Sequence, residues 1–204
     1  MLTKLKEKVQ QILTAEANAA NKLGLTPNMI SGLGIILALL AAIAYTASAW
    51  QINPLYLLVA TVLLLLSGFC DALDGVVARI HRKETVFGGF LDSLLDRYAD
   101  AAVYAGIIIA GLCGVIWGLA ATIGSLLVSY SRARAEAAGI KMESIGLAER
   151  AERIIILAVA SVIAFLWQPE TVMNIAIILL AIISNLTVIQ RTLHVYKKAK
   201  KGTS

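Results

Sequence analysis

Six apolar segments determine what this chain can fold into. Most of them run for about 20 residues, the length that an α-helix needs to cross the hydrocarbon core of a bilayer. Hydrophobic residues make up 59% of the sequence and charged residues 15%, against about 25% charged in an average soluble protein. The sequence therefore predicts an all-α integral membrane protein with six transmembrane helices. The predicted spans are Met29–Ala49, Leu55–Val77, Phe90–Leu112, Val115–Arg134, Ile154–Trp167 with some N-terminal extension, and Val172–Val195.

The segment before the first span carries lysines among apolar residues at helical spacing. Its apolar positions are Leu2, Leu5, Val9, Ile12 and Leu13. This pattern predicts an N-terminal amphipathic helix that lies on the membrane surface. No cleavable secretory signal is predicted, because the segment lacks a central apolar run. We expect three parts: a surface segment (1–24), one six-helix domain (25–197) and a basic cytoplasmic tail (198–204).

Lysine and arginine residues lie at alternate ends of the six segments. The opposite turns read SAWQINP, LCGV and WQPE and contain neither residue. The positive-inside rule then places both termini and the charged loops in the cytoplasm, and we expect a multi-pass protein of the plasma membrane. The net charge of +5 is accounted for by this topology and by anionic lipid headgroups, so no nucleic-acid partner is expected.

All aspartates of the chain lie between Ser67 and Asp100, around the second predicted loop. Asp71 and Asp74 are three residues apart, and Asp92 and Asp96 are four apart, so each pair shares one face of a helix. An unpaired carboxylate within a membrane helix costs about 2.5–3.5 kcal/mol. A set of carboxylates without softer ligands selects hard divalent ions such as Mg²⁺ or Mn²⁺.

Two further features bear on how these acids are interpreted. An acid in the first turn of a helix is favoured by the helix dipole, which is an alternative explanation for Asp92 alone. Gly75, Gly88 and Gly89 flank the acids and leave space for a ligand. Arg79 offers a planar fork of donors that suits a phosphate. Together these residues indicate a metal-dependent pyrophosphate site.

The same residues carry a resemblance to a known family. The chain fits the signature D-x-x-D-G-x-x-A-R-x8-G-x-x-x-D-x-x-x-D, and it therefore resembles the CDP-alcohol phosphotransferases. The matching residues are Asp71, Asp74, Gly75, Ala78, Arg79, Gly88, Asp92 and Asp96. The resemblance implies a six-span homodimer that transfers a lipid phosphate from a CDP-linked lipid to an alcohol and releases CMP.

The resemblance also implies roles for individual residues. Two divalent ions, Mg²⁺ or Mn²⁺, are expected at Asp71, Asp74, Asp92 and Asp96, with Asp96 as the general base. The CDP-linked lipid is expected to bind at Asp71, Asp74, Gly75, Ala78, Arg79, Gly88 and Asn28. An equally good explanation for the LTPN stretch around Asn28 is that it caps the first span, with Pro27 at its start.

Three arginines suggest the nature of the acceptor. Arg132 ends the fourth span, Arg153 begins the fifth, and Arg191 lies in the cytoplasmic end of the last. Converging guanidinium groups suit a phosphate monoester, whereas the alternative role is cytoplasmic anchoring and pairing with nearby glutamates. The stretches SYSRARAEAAG, ERAER and QRTLH resemble the branch of the family that uses inositol 1-phosphate, the phosphatidylinositol phosphate and archaetidylinositol phosphate synthases.

Two departures from the bacterial pattern favour the archaeal form of this branch: Ala151 stands where bacterial members carry proline, and Arg132 where they often carry lysine. The lipid, archaeol or diacylglycerol, stays open, because apolar spans accept either. Glycerol 3-phosphate is the alternative acceptor. A transporter of ions or protons is the alternative class, although its acids would be expected at mid-membrane on several spans.

Overall fold

The computed structural model describes residues 13–50, 53, 55–142 and 145–202. Within these ranges the chain forms α-helices joined by short turns and contains no strand, so the predicted all-α fold class is confirmed for them. The part of the predicted amphipathic segment before residue 13 lies outside the described residues. The helices are α1 (residues 13–22), α2 (Pro27–Trp50), α3 (Leu55–Ile80), α4 (Val86–Ile109), α5 (Val115–Ala137), α6 (Arg150–Leu166) and α7 (Pro169–Gly202).

Four of these helices are long and apolar enough to cross a membrane: α2, α3, α5 and α7. Helix α4 differs because Asp92, Asp96, Arg97 and Asp100 all lie along it, and α6 differs because it has only 17 residues. Many large apolar side chains face outwards, as in a protein surrounded by lipid; Ile43, Val62 and Ile116 are among them. The structure is therefore that of a membrane protein with several apolar helices.

Helix α2 packs against both α3 and α4. Its small residues permit a close approach, as in other membrane helix pairs. A Cβ atom added to Gly106 of α4 would lie only 2.4 Å from the carbonyl oxygen of Ala42. Helix α6 packs between α3 and α7, and α5 packs against α7 and α4. Tyr45, Leu57 and Ile107 are fully buried where these helices meet.

The turn between α3 and α4 brings the aspartates of both helices to one end of the bundle. Thr85 caps α4, since its Oγ1 atom accepts a hydrogen bond from the Gly88 amide at 2.9 Å. The helix therefore begins at Val86, one turn earlier than the predicted span, and Asp92 lies beyond its first turn. The helix-dipole explanation for Asp92 is wrong for this reason, because that effect fades within the first turn.

Candidate active site

Helices α3 and α4 bring three carboxylates into one cluster. Oxygen atoms of Asp71, Asp92 and Asp96 all lie within 4.8 Å of one another. Asp92 and Asp96 occupy successive turns of α4, and Asp71 faces them from α3. Oxygen ligands from carboxylates alone match the donor set that Mg²⁺ and Mn²⁺ prefer. The residues present therefore fit a divalent metal ion.

Asp74, the fourth predicted ligand, lies one turn further along α3 and is only 4% exposed. Its Oδ2 atom accepts a hydrogen bond of 2.5 Å from Ser31 Oγ of α2. Asp71, Asp74, Asp92 and Asp96 nevertheless line one common cavity. The structure thus brings all four predicted metal ligands together, with Asp74 held from a third helix.

A groove of about 270 Å³ adjoins this cluster. Its volume is slightly below the range of small-ligand sites, which begins near ~300 Å³. Most of the residues expected to bind the CDP-linked lipid line it, namely Asn28, Asp74, Gly75, Ala78, Arg79 and Gly88. Asp71 lies in the neighbouring carboxylate cavity instead. The signature residues therefore form one continuous surface.

Two contacts explain why the groove needs glycines. The Arg79 guanidinium lies over Gly75, where an added Cβ atom would be 3.1 Å from Nη1. At Gly88 an added Cβ atom would lie 2.8 Å from Thr85 Oγ1 and 3.0 Å from Asn28 Oδ1. Thr26 accepts the Met29 amide at 3.3 Å and caps α2, so the capping explanation of the LTPN stretch holds for Thr26, while Asn28 lies in the groove.

Arg150 is the site residue that sequence reasoning missed. It is the first residue of α6 and points its guanidinium into the carboxylates. Its Nη1 atom lies 2.8 Å from Asp96 Oδ1 and 3.0 Å from Asp71 Oδ2, and its Nε atom donates to Asp100 Oδ1 at 3.0 Å. A cation in the first turn of a helix is disfavoured by the helix dipole. An arginine at this position is therefore unusual, and this feature of the sequence could have identified Arg150 as a site residue.

The start of α6 is held in place by its own glutamates. The Glu152 side chain accepts a hydrogen bond from the Glu149 amide at 2.9 Å, and the Glu149 side chain accepts one from the Glu152 amide. This reciprocal capping box fixes where the helix begins. It therefore also fixes the direction in which Arg150 and Arg153 leave the first turn.

Asp100 links Arg150, which contacts the carboxylate cluster, to Arg153, one of the arginines expected to bind the acceptor phosphate. Its Oδ2 atom accepts hydrogen bonds from Arg153 Nη2 at 3.1 Å and from Ser125 Oγ of α5 at 3.0 Å. Together with the bond from Arg150, this gives one carboxylate contacts from α5 and from two residues of α6. Sequence analysis had placed Asp100 among the acids without a role.

The three arginines expected to bind the acceptor phosphate lie near one another, but in different surroundings. Arg191 is 1% exposed, and its Nε and Nη1 atoms donate to the carbonyl oxygens of Ile145 and Val128. Val128 lies one turn before Arg132 on α5. Ile145 lies in the same connection as Ala148, whose carbonyl oxygen accepts a hydrogen bond from Arg153 Nη1 at 3.5 Å. Arg153 is buried beside Asp100. Arg132 is half-exposed and pairs with Glu136 along α5 at 2.9 Å.

Comparisons with known proteins agree with this geometry. The family model of CDP-alcohol phosphatidyltransferases matches residues 24–189. An archaetidylinositol phosphate synthase of Pyrococcus horikoshii is 40% identical over 99% of this chain and 100% of its own. One from Methanothermobacter thermautotrophicus is 41% identical over 89% of this chain and 88% of its own.

Two solved structures of one enzyme are similar to this fold. The phosphatidylinositol phosphate synthase of Mycobacterium tuberculosis with CDP-DAG bound is 29% identical, with a TM-score of 0.76 over 91% of this chain and 94% of that one. A structure of the same enzyme in complex with manganese and citrate has a TM-score of 0.76 over 90% and 88%. The resemblance found in the sequence is thus confirmed: this chain is a phosphotransferase that belongs to the CDP-alcohol phosphatidyltransferase family.

Proposed function

We propose that this protein transfers the phosphatidyl-type group of a CDP-linked lipid, CDP-archaeol or CDP-diacylglycerol, to a hydroxyl group of inositol 1-phosphate and releases CMP. One observation carries the proposal: a cluster of acids suited to a pyrophosphate site lies beside a group of arginines suited to a second phosphate. Asp100 joins the two clusters through Arg150 and Arg153. The names of the relatives, archaetidylinositol phosphate and phosphatidylinositol phosphate synthases, support inositol phosphate as the acceptor.

The groove along α3 and α4 is the proposed donor subsite. Arg79 lies along it and can bind an oxygen of the pyrophosphate, because its guanidinium donates in a fixed planar arrangement. Gly75 leaves room for the Arg79 guanidinium, and Gly88 leaves room for the Asn28 side chain. Asn28 reaches the same groove from α2. The apolar outer faces of the helices leave the lipid chains in the membrane.

Asp71, Asp74, Asp92 and Asp96 are the residues that would hold two divalent ions. Bound there, Mg²⁺ or Mn²⁺ would neutralise charge on the pyrophosphate and on the departing CMP. The cavity that these four side chains line contains no histidine or cysteine among the described residues, which supports a hard ion. Ser31 keeps Asp74 in one orientation.

Asp96 is the proposed general base. Its Oδ2 atom lies 3.4 Å from Arg97 Nη1, a contact within α4 that helps to orient the carboxylate. It takes the proton of the acceptor hydroxyl as the hydroxyl oxygen bonds to the phosphorus nearest the lipid. The bond from that phosphorus to the bridging oxygen breaks, and CMP leaves with that oxygen. Alignment of the hydroxyl accounts for much of the expected rate enhancement.

Arg132, Arg153 and Arg191 form the proposed acceptor subsite. Arg153 and Arg191 are buried and already held by Asp100 and by backbone carbonyl oxygens, so they bind a phosphate with little loss of side-chain freedom. Arg132 is half-exposed and pairs with Glu136 in an i,i+4 arrangement, a contact that typically contributes about 0.3–0.5 kcal/mol. It can therefore turn from Glu136 to the phosphate at small cost.

The arrangement in the membrane is also part of the proposal. Helices α4 and α6 cross the bilayer beside the four more apolar helices, which gives six spans within one catalytic domain (25–197). The active site then faces the cytoplasm, with both termini on that side of the plasma membrane, and the protein is a homodimer. The lysine and arginine distribution supports the orientation, and the family supports the span number and the dimer.

The test is a CMP-release assay with purified protein, a CDP-linked lipid and a panel of acceptors. Inositol 1-phosphate, inositol, glycerol 3-phosphate and serine are supplied in turn, with Mg²⁺ or Mn²⁺. We expect release with inositol 1-phosphate and little with the others. Release only with glycerol 3-phosphate or serine would replace the acceptor assignment, and release in the absence of any acceptor would indicate hydrolysis of the donor.

A further inference from the structure

We infer that Asp100 is a positioning residue: it is the counter-ion that allows Arg150 to leave Asp71 and Asp96 when these carboxylates bind divalent cations. The inference rests on the proposed function, because it needs Asp71 and Asp96 to be metal ligands. It concerns a pair of residues, Asp100 and Arg150, outside the signature that defines the site. It predicts that metal affinity depends on Asp100, a carboxylate that does not itself bind the metal.

The geometry divides the Arg150 guanidinium into two sides. The Nη1 atom contacts Asp96 Oδ1 and Asp71 Oδ2, at 2.8 and 3.0 Å. The Nε atom contacts Asp100 Oδ1 at 3.0 Å. One side of the guanidinium therefore pairs with two carboxylates of the metal cluster. The other side pairs with Asp100, which lies outside that cluster.

Burial makes this second partner necessary. The Arg150 side chain is only 16% exposed, and an uncompensated charge in such a place is strongly unfavourable. A cation that binds Asp71 and Asp96 repels the guanidinium and takes its oxygen partners. Without Asp100, Arg150 would then have no ionic partner among its present contacts. With Asp100, one charge-assisted hydrogen bond remains, so the cation displaces two contacts of the guanidinium instead of all three.

Asp100 is fixed well enough to serve as this partner. Its other oxygen accepts hydrogen bonds from Ser125 Oγ and Arg153 Nη2. Ser125 is 1% exposed and Arg153 is 3% exposed, so both donors are held in the packed interior. Asp100 therefore keeps its position when the contacts of Arg150 change.

The experiment is a double-variant cycle of Asp100→Asn and Arg150→Gln, read as Mn²⁺ affinity of the purified protein by electron paramagnetic resonance. Asp100→Asn is expected to weaken Mn²⁺ binding by at least about tenfold, the size of one charge-assisted hydrogen bond. Arg150→Gln is expected to bind Mn²⁺ at least as tightly as wild type, because a competing cation is gone. In the Arg150→Gln background, Asp100→Asn should change the affinity by no more than about twofold, since coupled residues are not additive.

This non-additivity separates the proposal from simple loss of negative charge. If Asp100 acted on the ions only by its charge at a distance, Asp100→Asn would weaken Mn²⁺ binding equally with and without Arg150, and that result would overturn the inference. Should Asp100→Asn fail to fold, Arg150→Gln alone decides: binding about tenfold weaker than wild type would also overturn it, whereas binding equal or tighter would support it.

Tyr45→Phe serves as the control for packing defects. Tyr45 shares a buried hydrogen bond of 2.7 Å with Ser161, away from the active site, so its loss should lower the thermal midpoint without changing Mn²⁺ affinity. A change in Mn²⁺ affinity in this variant would assign the Asp100→Asn effect to packing and overturn the inference. Wild-type protein that binds no Mn²⁺ contradicts the metal site of the proposed function, whereas Mn²⁺ binding without coupling contradicts only the role of Asp100.

Discussion

Ser31 Oγ of α2 lies 2.5 Å from Asp74 Oδ2 of α3 and donates a hydrogen bond to it. Both side chains are buried. The contact joins α2 to Asp74, one of the four proposed metal ligands. Asp74 is therefore oriented by a residue outside the family signature.

Ser31→Ala is therefore expected to lower kcat/KM for CMP release by about tenfold, because a hydrogen bond to a buried charged group contributes about 1.5–3 kcal/mol. The dependence on Mg²⁺ or Mn²⁺ concentration should shift to higher values in the same assay. Ser48→Ala is the matched control, since Ser48 lies on the same helix and its hydroxyl donates to the Tyr45 carbonyl oxygen at 2.7 Å. Equal losses in both variants would contradict a specific role for Ser31.

Asp96→Asn keeps the shape of the side chain but removes its proton acceptor and its charge. Turnover should fall by at least about a hundredfold, the usual contribution of a general base. CDP-lipid binding should be affected less, since the donor groove lies along α3 and the start of α4. Turnover is measured by rapid quench, and binding of the CDP-linked lipid is measured in a separate experiment. Near-normal turnover would eliminate Asp96 as the base.

Asp71→Asn and Asp74→Asn test the metal site without removing the proposed base. Each removes a proposed metal ligand, so the half-saturating concentration of Mg²⁺ or Mn²⁺ should rise as the rate falls. A titration of activity against metal concentration checks this. A lower rate at an unchanged half-saturating concentration would exclude the variant residue from the metal site.

Arg153→Ala and Arg191→Ala test the acceptor subsite. Each removes charge-assisted hydrogen bonds worth about 1.5–3 kcal/mol, so the KM for inositol 1-phosphate should rise by about ten- to a hundredfold. The KM for the CDP-linked lipid should change far less. Arg134→Ala is the control, because Arg134 is exposed on the same helix as Arg132 and is not assigned to the site. An unchanged acceptor KM with reduced stability would make these arginines structural anchors.

Gly106→Ala tests the close approach of α2 and α4. The added Cβ atom would lie 2.4 Å from the carbonyl oxygen of Ala42, and overpacking of this kind typically costs about 1–3 kcal/mol. The thermal midpoint in detergent should fall. Gly32→Ala in α2 is the control, since its added Cβ atom has no neighbour within 4 Å. Equal stability of the two variants would contradict the packing described for α4.

Cysteine labelling tests the proposed orientation in the membrane. Lys141 lies in the connection between α5 and α6, and Glu170 lies in the first turn of α7; both are exposed. A membrane-impermeant maleimide should label Glu170→Cys in intact cells and should label Lys141→Cys only after the cells are opened. The parent chain is the control, because Cys70 and Cys113 are buried. The reverse pattern would place the active site on the outer face.

The sequence alone predicted that the carboxylates and the residues of the groove would lie near one another. Asp71 and Asp74, like Asp92 and Asp96, are separated by one helical turn, so once the apolar segments are read as helices each pair must share a face. The fold class followed for the same reason, since long apolar segments leave few alternatives to helices in a membrane. The arginines of the acceptor group were predicted from their positions at the ends of such segments.

Tertiary structure decided which residues meet between helices. Ser31 and Asp74 are 43 residues apart, and Asp100 is 50 residues from Arg150 and 53 from Arg153. No local period relates these positions. Their contacts depend on how α2, α3, α4 and α6 are rotated against one another, and apolar faces of similar composition permit several rotations. Only close packing, as between Gly106 and Ala42, selects one of them and thereby places Arg150 among the acids.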